Sequence, residues 1–120
     1  MRGVVILSQV ANYASTLDLV FLALADPTRR AVLGRLGSGP ASVSELASGF
    51  AMALPSFLKH VRALESSGLI HTSKAGRVRT CELDRDRLAV VDGWLAAQRS
   101  SWERHTDRLE DHLDKRENSR

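Results

Sequence analysis

The stretch ALPSFLKHVRALESSGL, residues 53–69, decides the fold. Phe57, Val61 and Leu64 stand at i, i+4 and i+7, which on a 3.6-residue period puts them on one buried stripe. Ser56, Lys59 and Arg62 project away from that stripe, so a short buried helix holds its basic groups outward in a row. Pro55 is tolerated because it lies in the first turn, where its missing N–H would have no partner anyway. Gly68 supplies a left-handed stop.

Toward the N-terminus, SVSE at Ser42–Glu45 reads as a capping box in which Ser42 and Glu45 each bond the other's exposed backbone N–H. It opens a short helix through Leu46 to about Gly49, and a turn near Phe50–Met52 leads into the helix just described. Before it, Asp26-Pro27 starts a helix to about Leu36, with Ala31, Val32 and Leu36 inward, and GSGP at residues 37–40 ends it. Leu17, Val20, Phe21 and Leu24 recur at helical spacing ahead of that, with Ser15 or Thr16 as the cap. Residues 1–12 read as a loosely ordered lead-in.

Toward the C-terminus, LIHTSKAGRVRTCEL sets β-branched residues around a glycine, predicting strands at about 69–74 and 77–83 with the turn at Ala75-Gly76. The last helix starts near Asp84 or Asp86 and runs to about Lys115. Along it Leu88, Val91, Leu95, Gln98, Trp102, His105, Leu109 and His112 alternate steps of three and four, the spacing of a two-helix seam, and Trp94 and Leu113 widen its apolar face. A helix of about 30 residues overshoots the core that so short a chain can offer it, which predicts pairing with a second copy.

Length and composition bound the rest. A chain of 120 residues with 43% hydrophobic content fits one domain, placed at residues 13–115 with a tail at 116–120. The longest apolar runs, Val4–Leu7 and Val20–Ala25, fall far short of a membrane span, and the first breaks at Ser8 and Gln9, too early for an export signal. A cytoplasmic protein is expected, and the lone Cys81 is compatible with a reducing compartment. Charge is uneven: eight basic against three acidic residues between 26 and 80, but eight against ten from 81 onward. The middle of the chain therefore points to a local anionic partner.

The order helix, helix, short capped helix, turn, helix, hairpin, long helix is that of a winged helix-turn-helix: mainly α, with a small β-hairpin wing. In such a unit the second helix of the pair enters the DNA major groove, which is wide enough for one α-helix. Leu54, Ser56, Lys59, His60 and Arg62 are the candidate contacts on that helix. Lys74, Arg77 and Arg79 on the hairpin grip the backbone or enter an adjacent minor groove. His60, beside the stripe, reads as a packed or phosphate-contacting histidine rather than a catalyst. Arg29 and Arg30 have two readings, as DNA contacts or as partners of Glu or Asp. The whole pattern also has a second reading, a protein-interaction module that binds an acidic partner.

LALADPTRRAVLGRL, SVSELA, FLKHVRALESSGLI and AGRVRTCEL resemble, in order and spacing, the ArsR/SmtB-type winged-helix repressors, in the branch without metal sites that includes SdpR-like autorepressors. The resemblance spans residues 17 to about 113. It implies a homodimer joined through the first and last helices, which binds operator DNA of twofold symmetry and represses its own or a neighbouring operon. The implied dimer surface comprises Leu17, Val20 and Leu24 on the first helix, and Leu88, Val91, Leu95, Trp102, His105 and Leu109 on the last. Two departures stand out: Ala51 and Ala53 replace the turn glycine and the serine cap usual before the recognition helix, and Leu54 stands where a polar base-reader is common.

Metal-sensing members carry Cys-x-Cys in the first helix of the motif, where this chain has Glu45-Leu46-Ala47-Ser48-Gly49. His105, Asp107, Asp111 and His112 on the last helix do not match the alternative metal pattern, so neither metal nor cofactor is expected. No histidine, serine and carboxylate set and no glycine-rich phosphate loop can be assembled, which excludes the common enzyme classes.

Overall fold

The computed structural model describes residues 15–118. In chain order these form a helix whose described part is residues 15–24 (α1), α2 (Pro27–Leu36), β1 (Ala41–Ser42), α3 (Val43–Ala47), α4 (Leu54–Ser66), β2 (Ile70–Ala75), β3 (Val78–Leu83) and α5 (Arg85–Asn118). Two compact units divide the chain, residues 1–88 and 89–120. No described helix is long and apolar enough to cross a membrane. The predicted lead-in at residues 1–12 lies outside the described residues.

Within the first unit the core gathers around α4. Phe57, Val61 and Leu64 are buried as the stripe requires, joined by Val32 and Leu36 of α2, Leu46 of α3 and Ile70 and Cys81 of the sheet. Ala31 is exposed, contrary to the sequence reading: Val32 and Leu36, four apart, define the inward line of α2, and Ala31 falls outside it. Phe57 also stacks on Phe50, with ring centroids 5.5 Å apart, which ties α4 to the turn before it.

Helix boundaries follow their caps. Asp26 accepts the Arg29 N–H at 3.2 Å and starts α2, with Pro27 in its first turn. Ser42 Oγ accepts the Glu45 N–H at 3.1 Å, but the Glu45 carboxylate takes the Ser42 hydroxyl at 3.2 Å rather than the backbone N–H that a full capping box would use. Asp84 accepts the Arg87 N–H at 3.0 Å, so it caps α5 from outside. Ser15 and Thr16 are already helical, so neither is an N-cap residue of α1.

At the end of α4 the Leu69 N–H donates to the Leu64 carbonyl at 3.2 Å and the Gly68 N–H to that of Glu65 at 3.0 Å, the paired bonds of a Schellman stop. Gly68 has φ +79°, and a Cβ there would lie 2.4 Å from Arg87 Nε. The Arg87 guanidinium can swing aside, but the left-handed backbone cannot be avoided. Gly68→Ala is therefore expected to destabilise the fold by about 1–2 kcal/mol, read as a lower denaturant midpoint at unchanged m-value.

The sheet has three antiparallel strands in the order β1-β3-β2. β1 was not foreseen from the sequence; its two residues pair with Cys81 and Thr80 of β3. The hairpin turn is Gly76-Arg77, one residue later than expected, because Ala75 still pairs with Val78. Gly76 has φ +62° and Arg77 is not left-handed, the pattern of a type II′ turn whose twist suits a two-residue hairpin.

In the second unit α5 continues to Asn118, beyond the expected Lys115. Leu95, Trp102, Leu109 and Leu113 are exposed along it, and so are His105 and His112.

Candidate nucleic-acid interface

The outward side of α4 carries Ser56, Lys59 and Arg62, all exposed. None of the three forms an ion pair among the described residues, as Arg35 does with Glu45 at 3.9 Å. Lys59 and Arg62 are thus two uncompensated positive charges on one side of the helix, and they raise the local positive potential there. Ala53, the N-cap residue of α4, has no side-chain oxygen to offer, so the first N–H groups of the helix lack a side-chain partner.

Across from α4 lies the hairpin. Lys74 and Arg79 are directly opposed in the β2–β3 register. Two like charges facing each other across a strand pair destabilise it, and an anion between them would remove that cost. Arg79 is also positioned: its Nη1 donates to Thr72 Oγ1 at 2.9 Å, and that hydroxyl donates to Glu65 Oε1 on α4 at 3.0 Å. The wing is thus tied to the recognition helix. A groove runs between them, first about 380 Å³ lined by Leu54, Leu58, Lys74, Arg77, Val78 and Arg79 together with the start of α3. A second hollow of about 270 Å³ continues it along Leu58, Val61, Arg62, Glu65 and Arg79.

His60 does not join the outward row. Its Nδ1 accepts the Arg29 Nε–H at 3.2 Å and lies 3.7 Å from Asp26 Oδ1, so the ring faces α2. Burial pushes the Asp26 carboxyl up, but the Arg29 N–H and the neighbouring His60, Thr28 and Arg29 outweigh it and hold the group below the usual carboxylate range. Arg29 and Arg30 take backbone partners that the sequence reading did not name. Arg29 Nη1 donates to the Leu22 carbonyl at 3.2 Å and Arg30 Nη1 to the Leu24 carbonyl at 2.7 Å, so both close the carbonyl end of α1, where cations are favoured.

At the base of the hairpin, His71 Nε2 meets Asp84 Oδ2 at 2.5 Å. The Arg87 N–H and then His71 hold the Asp84 carboxyl below its ordinary range. Cys81 is fully buried in β3, where desolvation, with the Glu65 charge adding to it, pushes the thiol up and away from the thiolate form. Among the described residues no three His, Cys, Asp or Glu are grouped to hold a metal ion.

Of the positions expected at a dimer surface, Leu17, Val20 and Val91 are buried, Val20 entirely, and have almost no surface left to offer a second chain. Apolar surface on α1 remains at Leu19, Phe21 and Leu22 instead. On α5 it remains at Leu95, Trp102 and Leu109 as expected, while Leu24 and Leu88 are half-buried.

A helix-turn-helix domain family matches residues 24–73, from the end of α1 into β2. The HTH-type transcriptional regulator Rv2034 of Mycobacterium tuberculosis is 38% identical over 62% of this chain and 69% of its own length. The transcriptional repressor SdpR of Bacillus subtilis is 33% identical over 63% of this chain and 84% of its own. A crystal structure of an ArsR family transcriptional regulator is 59% identical and superposes with a TM-score of 0.73, covering 75% of this chain and 93% of that one. The chain belongs to the ArsR family of transcriptional regulators. It is a DNA-binding regulator on a winged helix-turn-helix, with α3 and α4 as the helix pair and β2–β3 as the wing.

Proposed function

We propose that the chain is a homodimeric repressor that acts in the cytoplasm on operator DNA of twofold symmetry, in front of its own or a neighbouring operon, with residues 13–115 as the working unit. Ser56, Lys59 and Arg62 enter the major groove, and Lys74, Arg77 and Arg79 hold the flanking backbone. The observation that carries this reading is the exposed basic side of α4 beside a cationic wing, the two joined through Arg79, Thr72 and Glu65, with Arg62 and Arg79 both lining the hollow between them. Dimerisation is supported by the exposed apolar positions Leu95, Trp102, Leu109 and Leu113 on α5, since one chain leaves them in water.

The test is selection from random duplexes by the purified protein. An inverted repeat should emerge, with half-sites one helical turn or a multiple of it apart. Affinity should fall steeply with salt: with about six phosphates neutralised per dimer, the logarithmic slope would be about −5. Enrichment of no sequence, together with a single subunit in sedimentation, would overturn the proposal in favour of a module for an acidic protein.

A further inference from the structure

The apolar side chains in the groove have no place in a surface made only for phosphate. Leu54, in the first turn of α4, is 54% exposed, and Leu58 stands one turn further along the same line and is half-buried. Both line the 380 Å³ hollow, whose far wall holds Lys74, Arg77 and Arg79 with the exposed Val78 among them. The hollow is therefore a greasy strip with a cationic border. Its occupant must bring an apolar group within a few ångströms of negative charge.

A DNA duplex has one such group on its major-groove edge, the C5 methyl of thymine, flanked by its own phosphates. We propose that Leu54, backed by Leu58, reads thymine through that methyl, so that sequence preference at this position comes from apolar contact rather than hydrogen bonds. The inference rests on the reading of α4 and the wing as the DNA interface. The position suits the role: the N-terminal residues of a recognition helix are those that meet base edges. An exposed leucine there gains only by losing water, and deoxyribose contacts, being alike at every base, would give no preference.

The probe is the duplex selected from the random library, resynthesised with deoxyuridine in place of thymidine at one position at a time. This change removes the methyl and leaves the O4 acceptor and the base pairing untouched. At one thymine position of the site the dissociation constant should rise about fourfold per substituted methyl, the effect of one buried carbon. Leu54→Ala should bind the thymine duplex more weakly and lose the difference between thymine and uracil there. The variant should fold as the wild type does, because Leu54 is more than half exposed and is not among the buried core side chains. Failure to enrich any sequence would overturn the interface reading and this inference together. Enrichment with every uracil substitution silent, or with Leu54→Ala still distinguishing the two bases, would overturn this inference alone.

Discussion

Replacing Lys59 and Arg62 together by alanine is expected to weaken binding to the selected duplex by about a hundredfold or more. Each side chain is exposed on α4, forms no ion pair among the described residues and lies on the side of the helix that the proposed function turns to the major groove. The proposed dimer would be deprived of four such side chains at once, and groups of this kind contribute roughly 1–3 kcal/mol each when they reach bases. Four at the low end come to about 4 kcal/mol, already near a thousandfold. Where either residue meets phosphate instead, the salt slope should flatten by about 0.9 for each phosphate that is no longer neutralised. Fluorescence anisotropy across a salt series gives both numbers.

The same variant separates a damaged interface from a damaged fold. Neither residue belongs to the buried stripe of Phe57, Val61 and Leu64, so thermal unfolding and sedimentation should match the wild type. Wild-type affinity in the double variant would show that α4 is not the reading element. Binding that collapsed together with the dimer would mean that the two side chains support the assembly.

Why α4 was legible is a matter of range. Its stripe, its proline in the first turn and its glycine stop all lie within 17 consecutive residues, and local periodicity fixes the result. β1 had no such signal. Ala41 and Ser42 are a strand only because β3 lies beside them, and a two-residue segment cannot show alternation. The hairpin was found but its turn slipped by one residue, since Ala75 and Arg77 flank the same glycine and only the register with Val78 decides between them.

Arg29 and Arg30 show a different limit. Their partners are backbone carbonyls of Leu22 and Leu24, which exist as acceptors only because α1 ends there, and a reading of side chains alone offers just DNA or a carboxylate. The partnership of His60 with Arg29 spans 31 positions and depends on how α2 packs on α4. The outward position of Lys59 and Arg62 was easier to foresee, because an outward charge needs only the helix beneath it.

The largest expected loss of stability comes from Phe57→Ala. Phe57 is fully buried and stacks on Phe50 across the turn of the helix-turn-helix. Truncating such a ring removes its transfer free energy and leaves a cavity that the surrounding side chains cannot fill, typically about 3–5 kcal/mol. A domain of this size has only about 5–15 kcal/mol in all, so the variant should sit close to unfolding at ordinary temperature. Its Tm should fall by upward of ~12 °C, compared at one protein concentration because dimerisation shifts the transition. Phe57→Leu, which keeps most of the apolar volume, should lose far less. DNA binding gives the sharper contrast with the Lys59 and Arg62 variant. Phe57→Ala keeps every cation, so its affinity should recover as the temperature is lowered into the folded range, whereas the charge variant should stay weak at all temperatures. If Phe57→Ala lost little stability, the stripe that orients the basic row would not be what holds α4 in place.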